Sequence, residues 1–151
     1  MSLKIAIGSD HGGYELKKAL TEHLTDEGYT VHDFGCDDQT SCDYPDYAHA
    51  VAKSVSNGEF DRGIVVCTTG VGVSMVANKV KNIRCGLCLN PTMARLTREH
   101  NDANVLALAG GLTGKFLGLQ IADVFLSTQF SNGENHVRRI KKMTEYEASE
   151  N

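Results

Sequence analysis

Tryptophan is absent from this chain, proline occurs only twice, and aromatic residues make up 7% of its 151 positions. With so few prolines, no repeat and no low-complexity tract, the sequence offers no linker, and one domain over residues 1–151 is expected. No apolar run approaches the roughly 20 residues needed to span a bilayer. Residues 1–7 lead directly into Gly8-Ser9-Asp10, without the long apolar core of a secretion signal. Membrane association is therefore not expected, and the cytoplasm is the expected compartment. A basic excess is missing too: the formal net charge is −4, which excludes the electrostatic footprint of a dedicated nucleic-acid binder. The five cysteines cannot all pair within one chain, and without a secretion signal free thiols are expected. Cys85-Gly86-Leu87-Cys88 has redox or zinc spacing, but residues 83–89 read as a strand, where positions i and i+3 face opposite ways. No second such pair completes a four-ligand site, so these thiols are read as small apolar residues and no metal is expected.

What is present alternates regularly. Residues 3–8, 30–34, 62–66, 83–89 and 104–109 read as five short strands. Between and after them, residues 14–27 carry Leu16, Leu20 and Leu24 at helical spacing, with Gly28 as a stop. Residues 45–56 place Ala48, Val51, Ala52 and Val55 on one helical face, and a short helix is expected after Gly72. Further helices are expected over 91–99, with Pro91 in the first turn, and over 114–127, and an amphipathic one over about 135–147. Alternating strands and helices imply an α/β fold with a parallel sheet covered on both faces, because parallel strands need crossovers. In such sheets ligands bind outside the carboxyl ends of the strands. The Asp10-His11-Gly12-Gly13 turn, the loop after Cys67 and the His100-Asn101 segment are all expected at or near that rim.

The chemistry concentrates in Cys67-Thr68-Thr69-Gly70-Val71-Gly72-Val73-Ser74, a strand end, a glycine-bearing turn and a helix start in succession. A thiol at a helix N-terminus can have a depressed pKa, which suits it to act as base or nucleophile. Thr69 brings a hydroxyl nearby, and the N–H groups of Gly70 to Ser74 are placed to hold a developing oxyanion. No Gly-Lys-Ser/Thr ending follows, so this is not a nucleotide phosphate loop. The competing reading is a strand-end cysteine packed in the core. Asp10 and His11 supply a carboxylate and an imidazole after the first strand, though a helix cap with an exposed histidine explains them as well. His100, Asn101 and Asp102 precede a strand, where polar residues are often only loop. His23, His32 and His49 receive no role. His136-Val137-Arg138-Arg139 puts basic groups at a helix start, where they oppose the dipole unless an anion is bound.

Taken together, Gly8-Ser9-Asp10-His11-Gly12-Gly13, Asp43-Tyr44-Pro45, Cys67 through Gly72, Ala77-Asn78-Lys79 and Arg98-Glu99-His100-Asn101-Asp102-Ala103-Asn104-Val105 resemble ribose-5-phosphate isomerase type B. The wider group includes the galactose-6-phosphate isomerase subunits, and the resemblance covers nearly the whole chain. It implies a Rossmann-like three-layer α/β/α fold with a five-stranded parallel sheet and an extra C-terminal helix. It also implies a homodimer or homotetramer with active sites shared between subunits. The implied reaction is a metal-free, cofactor-free aldose–ketose interconversion of a sugar phosphate through a cis-enediolate. By resemblance Cys67 is the base between C2 and C1, and Thr69 assists proton transfer between the sugar oxygens. The backbone of Gly70, Val71, Gly72 and Ser74 stabilises the enediolate. His100 opens the furanose ring, Asp10 and Tyr44 hydrogen-bond the substrate, and Asn101 binds sugar hydroxyls. His11 and Arg139 hold the phosphate, with one set of these groups coming from the neighbouring subunit.

The chain departs from the family pattern in three places. Thr68 follows the cysteine where family members typically have Gly, Gly111 stands where they commonly carry Arg, and Asn135 replaces another Arg. Weakened or re-sited phosphate binding is expected, with Arg138, Arg139 or Lys115 as the remaining cations. The alternatives are an isomerase for a hexose 6-phosphate or a free aldose such as allose, a non-catalytic nucleotide- or flavin-binding module, and an inactive subunit of a hetero-oligomer. Against the module, the first turn is not G-x-G-x-x-G and Asp10 would repel a pyrophosphate. Against the inactive subunit, Cys67, Thr69 and His100 are all retained.

Overall fold

The computed structural model describes residues 2–150. Five strands, β1 (Lys4–Ser9), β2 (Thr30–Asp33), β3 (Arg62–Cys67), β4 (Cys85–Leu87) and β5 (Val105–Ala109), form one sheet in the order β2-β1-β3-β5-β4. Every pairing is parallel. Six helices accompany them: α1 (Tyr14–Asp26), α2 (Tyr44–Ser56), α3 (Val71–Ala77), α4 (Pro91–Asn101), α5 (Lys115–Ser127) and α6 (Glu134–Glu150). The expected three-layer α/β arrangement is therefore present. The fourth strand is shorter than the apolar run 83–89 suggested, and the last helix extends past residue 147.

Strand side chains alternate between two cores, as the two-residue period demands. Ile5, Ile7, Ile64, Val66, Leu106 and Leu108 meet Leu16, Leu20 and Leu24 of α1, Ala94 of α4, and Ile121 and Phe125 of α5. On the other face Ala6, Val65, Cys67, Val105 and Ala107 meet Val51, Ala52 and Val55 of α2 and Val73 and Ala77 of α3. Each buried Leu or Ile contributes about 1.5–3 kcal/mol through removal from water. Cys88 belongs to the first core and Cys85 packs against the second, so the C-x-x-C thiols face opposite ways. Burial pushes the Cys88 thiol up to about 11 and raises that of Cys85 as well.

One buried charge organises the β1 side. Lys17 of α1 is 1% exposed. Its Nζ donates to both oxygens of Asp33, at 3.0 and 2.9 Å, and to the carbonyl of Cys36. This ties the segment after β2 to α1. That segment in turn pairs with the end of β1, since Ser9 N donates to Gly35 O and Cys36 N to Ser9 O.

In a parallel sheet each helix returns antiparallel to the strands, so helices begin at the carboxyl edge of the sheet and end at the amino edge. Two contacts fix α4 in this way. Gly63 N, at the start of β3, donates to Asn104 O at 3.0 Å. Arg84 Nε, just before β4, donates to Asn101 O at 2.8 Å. The end of α4 thus lies level with the first residues of the strands.

Candidate active site

Strand order reverses between β1 and β3, and the turns leaving these two strands face each other at the carboxyl edge. Asp10 N donates to Val66 O, and Asp10 Oδ1 accepts from Gly13 N at 3.1 Å, capping a short 3-10 turn over His11–Gly13. The turn packs closely on the β3 loop: a Cβ on Gly12 would collide with Thr68 Oγ1, and one on Gly111 would sit 2.6 Å from Thr68 Cγ2. Thr68 therefore fills the space between the turns after β1 and β5.

After β3 the chain bends through Gly70, whose φ of 74° lies in the left-handed region that glycine adopts without strain. Its N–H turns back to donate to Cys67 Sγ at 3.1 Å. Val71 N donates to Thr69 Oγ1 at 3.2 Å, and Ser74 N to Gly70 O within the helix. The Ser74 hydroxyl donates to Val71 O at 2.7 Å. Of the N–H groups expected to cradle an oxyanion, those of Gly70, Val71 and Ser74 are thus already engaged. Gly72 and Val73 retain N–H groups with no protein acceptor among the described residues. The Tyr44 ring lies against Gly72, where any Cβ would come within 2.6 Å of Cε1. His11 Nδ1 accepts from Cys42 N at 3.3 Å, so its ring is steered by the segment before α2.

A second group gathers elsewhere. The rings of His100 and His136 stack at 4.3 Å with 13° between planes. His136 is held below the usual histidine value by desolvation, then by His100 and Arg139. Asn101 Oδ1 lies 3.2 Å from Thr97 Oγ1. Arg138 and Arg139, one turn into α6, are exposed and make no ion pair among the described residues. Asn101 also borders a cleft of about 660 Å³ that includes Lys79, Arg84 and Glu147.

The expectation that His100 and Asn101 share a rim with Cys67 is not met. They end α4 at the amino edge, whereas Cys67 pairs with Ala109 at the carboxyl edge. The five residues of β5 between those levels span about 17 Å. The reason is helix polarity: a segment just before a strand lies at the start of that strand, whatever chemistry it carries. Within one chain the structure brings together Asp10, His11, Tyr44, Cys67, Thr69 and Gly70–Ser74, and separately His100, Asn101 and His136 with Arg139. Lys115 opens α5 at the carboxyl edge, in a cleft bordered by Glu15, Lys18 and Gly110.

Sequence reasoning overlooked Arg98. It is 3% exposed, and Nη1 donates to Asp102 Oδ1 (2.8 Å) and Ala103 O (2.6 Å) while Nε donates to Thr128 O (3.1 Å). It clamps the end of α4 and so positions His100 and Asn101. Its only trace in the sequence is the unbroken run from Arg98 to Asp102. The stacking of His136 on His100 was equally invisible, since the two residues lie on separate helices.

Residues 5–143 match the family model described as Ribose/Galactose Isomerase. The chain belongs to the ribose/galactose isomerase family. It is 43% identical over 148 residues to ribose-5-phosphate isomerase B of Escherichia coli (strain K12), covering 98% of this chain and 99% of that one. The solved ribose-5-phosphate isomerase B of Clostridium thermocellum superposes with a TM-score of 0.97 at 49% identity, covering 99% of this chain and all of that one. The Mycoplasma genitalium enzyme, solved with bound ribulose-5-phosphate, gives 0.92 at 43% identity over 98% of each chain. As a family member the chain is an aldose–ketose isomerase. No helix among the described residues is long and apolar enough to cross a membrane.

Proposed function

We propose that this isomerase interconverts ribose 5-phosphate and ribulose 5-phosphate, with Cys67 as the base. The observation that carries this reading is the meeting of the Cys67 thiol, Asp10 and the unclaimed N–H groups of Gly72 and Val73 at the β1/β3 switch. A Cys67 thiolate takes the proton from C2; the electron pair of that bond forms the C1–C2 double bond, and the aldehyde oxygen O1 gains the charge. The Thr69 hydroxyl relays a proton from O2 to O1. The C2 carbonyl then forms as the Cys67 thiol returns its proton to C1. Donors aimed at a developing oxyanion are each worth about 3 kcal/mol in other enzymes. Gly72 and Val73 fill that role here more directly than Val71 or Ser74.

Ring opening by His100 and hydroxyl binding by Asn101 require a second subunit, because about 17 Å of strand separates them from Cys67 in one chain. In the proposed homodimer, His100, Asn101, Arg138 and Arg139 of one copy face Cys67, Asp10, His11 and Tyr44 of the other. The carboxyl edge supports this docking: Leu112 after β5 and Phe116 at the start of α5 are 72% and 85% exposed, and Leu89 after β4 and Met93 in the first turn of α4 are exposed as well.

Cys67→Ala tests the base. It should abolish incorporation of solvent deuterium into the substrate while leaving the fold intact, and exchange near the wild-type rate would refute the assignment. A second reading, an isomerase for another sugar, is favoured by one observation. No guanidinium is present at position 111, and Thr68 occupies the space a side chain there would need. Comparison of kcat/KM for ribose 5-phosphate, free ribose and allose separates the two. A large preference for the phosphorylated pentose upholds the first reading, and comparable turnover of a free sugar upholds the second.

A further inference from the structure

The cleft at the start of α5 holds a hydroxyl that nothing else in the chain uses. Thr113 is 8% exposed, and its side chain makes no hydrogen bond among the described residues. Every side-chain nitrogen or oxygen sealed from solvent there has a partner, so the unpartnered Thr113 hydroxyl opens into the cleft it lines. Beside it α5 begins without a side-chain cap: Gly114 stands at the N-cap, and Gly118 N is the first to turn back, onto Gly114 O at 2.9 Å. The N–H groups of Gly114, Lys115, Phe116 and Leu117 are left without an acceptor among the described residues, at the positive end of a 13-residue helix. Lys18 and Lys115 border the same space and make no ion pair among the described residues.

We propose that this cleft is a second anion site, taking the phosphate group of a hydroxylated small molecule apart from the reacting sugar. Uncapped N–H groups and a hydroxyl donor, with two cations beside them, are the features that hold phosphate oxygens at a helix start. The cleft measures about 530 Å³, within the roughly 300–1,000 Å³ of small-molecule sites, so it accommodates more than the phosphate. The α1 wall also carries Glu15 and Glu22, and Glu15 accepts from Gln39 Nε2 at 2.8 Å. Carboxylates there accept from hydroxyls and repel further negative charge, so a phosphate monoester fits and a diphosphate does not. The cleft is separate from the half-site at Cys67. Cys67 packs in the core under α2 and α3, whereas the cleft is walled by α1 and α5 on the other face of the sheet. The turn over His11–Gly13 packs against its border at Gly110, where a Cβ would come within 3.0 Å of Gly12 O and Gly13 Cα.

The test titrates the full-length protein, in its native assembly, with inorganic phosphate and with glycerol 3-phosphate, a hydroxylated monoester with no carbonyl to isomerise. The amide NMR signals of Gly114 to Leu117 should shift and saturate, with glycerol 3-phosphate bound more tightly than phosphate and pyrophosphate more weakly. Thr113→Val keeps the side-chain shape and removes the hydroxyl, and affinity should fall about tenfold, as for a lost hydrogen bond to a charged group. Because Thr113 is buried, the exposed Lys18→Gln is the second variant, and it should lose about threefold, on the scale of an exposed ion pair. No shift at these amides, or an affinity unchanged in both variants, would overturn the site. Tighter binding of pyrophosphate would overturn the assigned ligand class. Binding is read without turnover, so it holds or fails independently of the isomerase reading, and only the kinetic arm rests on that reading. In phosphate-free buffer, KM for ribose 5-phosphate should be unchanged in both variants. A KM that rises in step with the lost affinity would make the bound phosphate the substrate's own and overturn the second site.

Discussion

Two inactive variants of this protein should restore activity to each other. Cys67→Ala removes the proposed base at the carboxyl edge, and His100→Ala removes the proposed ring-opening group at the amino edge. The five residues of β5 separating those levels span about 17 Å, too far for both side chains of one subunit to reach one sugar. If each site draws its base from one chain and its histidine from the other, a mixed dimer carries both lesions in one site and none in the other. Random re-pairing of equal amounts makes roughly half of the dimers mixed, each with one intact site of two. Roughly one quarter of wild-type activity should therefore return. The assay mixes the purified variants, exchanges subunits through mild denaturant and dilution, and follows ribulose 5-phosphate formation. Exchange is verified by mass-tagging one variant. Mixed dimers present without recovered activity would refute the shared site, whatever each variant does alone.

Three other outcomes are expected. Gly70→Ala should lose about 2 kcal/mol or more in chemical denaturation, since φ is 74° and the new Cβ would sit 2.5 Å from Leu87 Cδ1; an unchanged midpoint would remove the strain argument. Lys17→Met should cost about 2–3 kcal/mol, less than breaking a fully buried pair because the Asp33 side chain is 37% exposed; urea midpoints measure it. His136 should titrate below 6.5 by NMR. Since the unfolded chain then takes up the proton first, this residue should subtract stability as pH falls through 6.5 toward its lower native value, and His136→Asn should flatten that part of the profile.

The strands and helices were legible because apolar spacing reports burial, and burial here follows simple two-face alternation. Val65 and Val66 in β3, and Leu16, Leu20 and Leu24 in α1, pack on the faces their spacing assigns. That the turns after β1 and β3, carrying Asp10 and Cys67, would meet was legible as well, because each strand end and its turn are adjacent in sequence. The position of His100 was not. Its local context, polar residues before a strand, says nothing of which edge of the sheet it occupies, and that is decided by the direction in which α4 runs. Nothing in the helical spacing marks Lys17 or Arg98 as buried, because the partners that satisfy them, Asp33 and the Cys36 carbonyl for one and Asp102 with the Ala103 and Thr128 carbonyls for the other, are brought in by the fold.

The side chain of Thr68, wedged between Gly12 and Gly111, ties three turns of the molecule to one residue. None of the three positions is free to change alone: a larger residue at 12 or 111 needs a smaller one at 68, while a smaller one at 68 leaves a gap that either neighbour can grow into. Across related chains these positions should therefore drift together. A graft meant to widen or charge this corner of the site will succeed only as a paired exchange, with Thr68 trimmed in the same step that a side chain is added at Gly111.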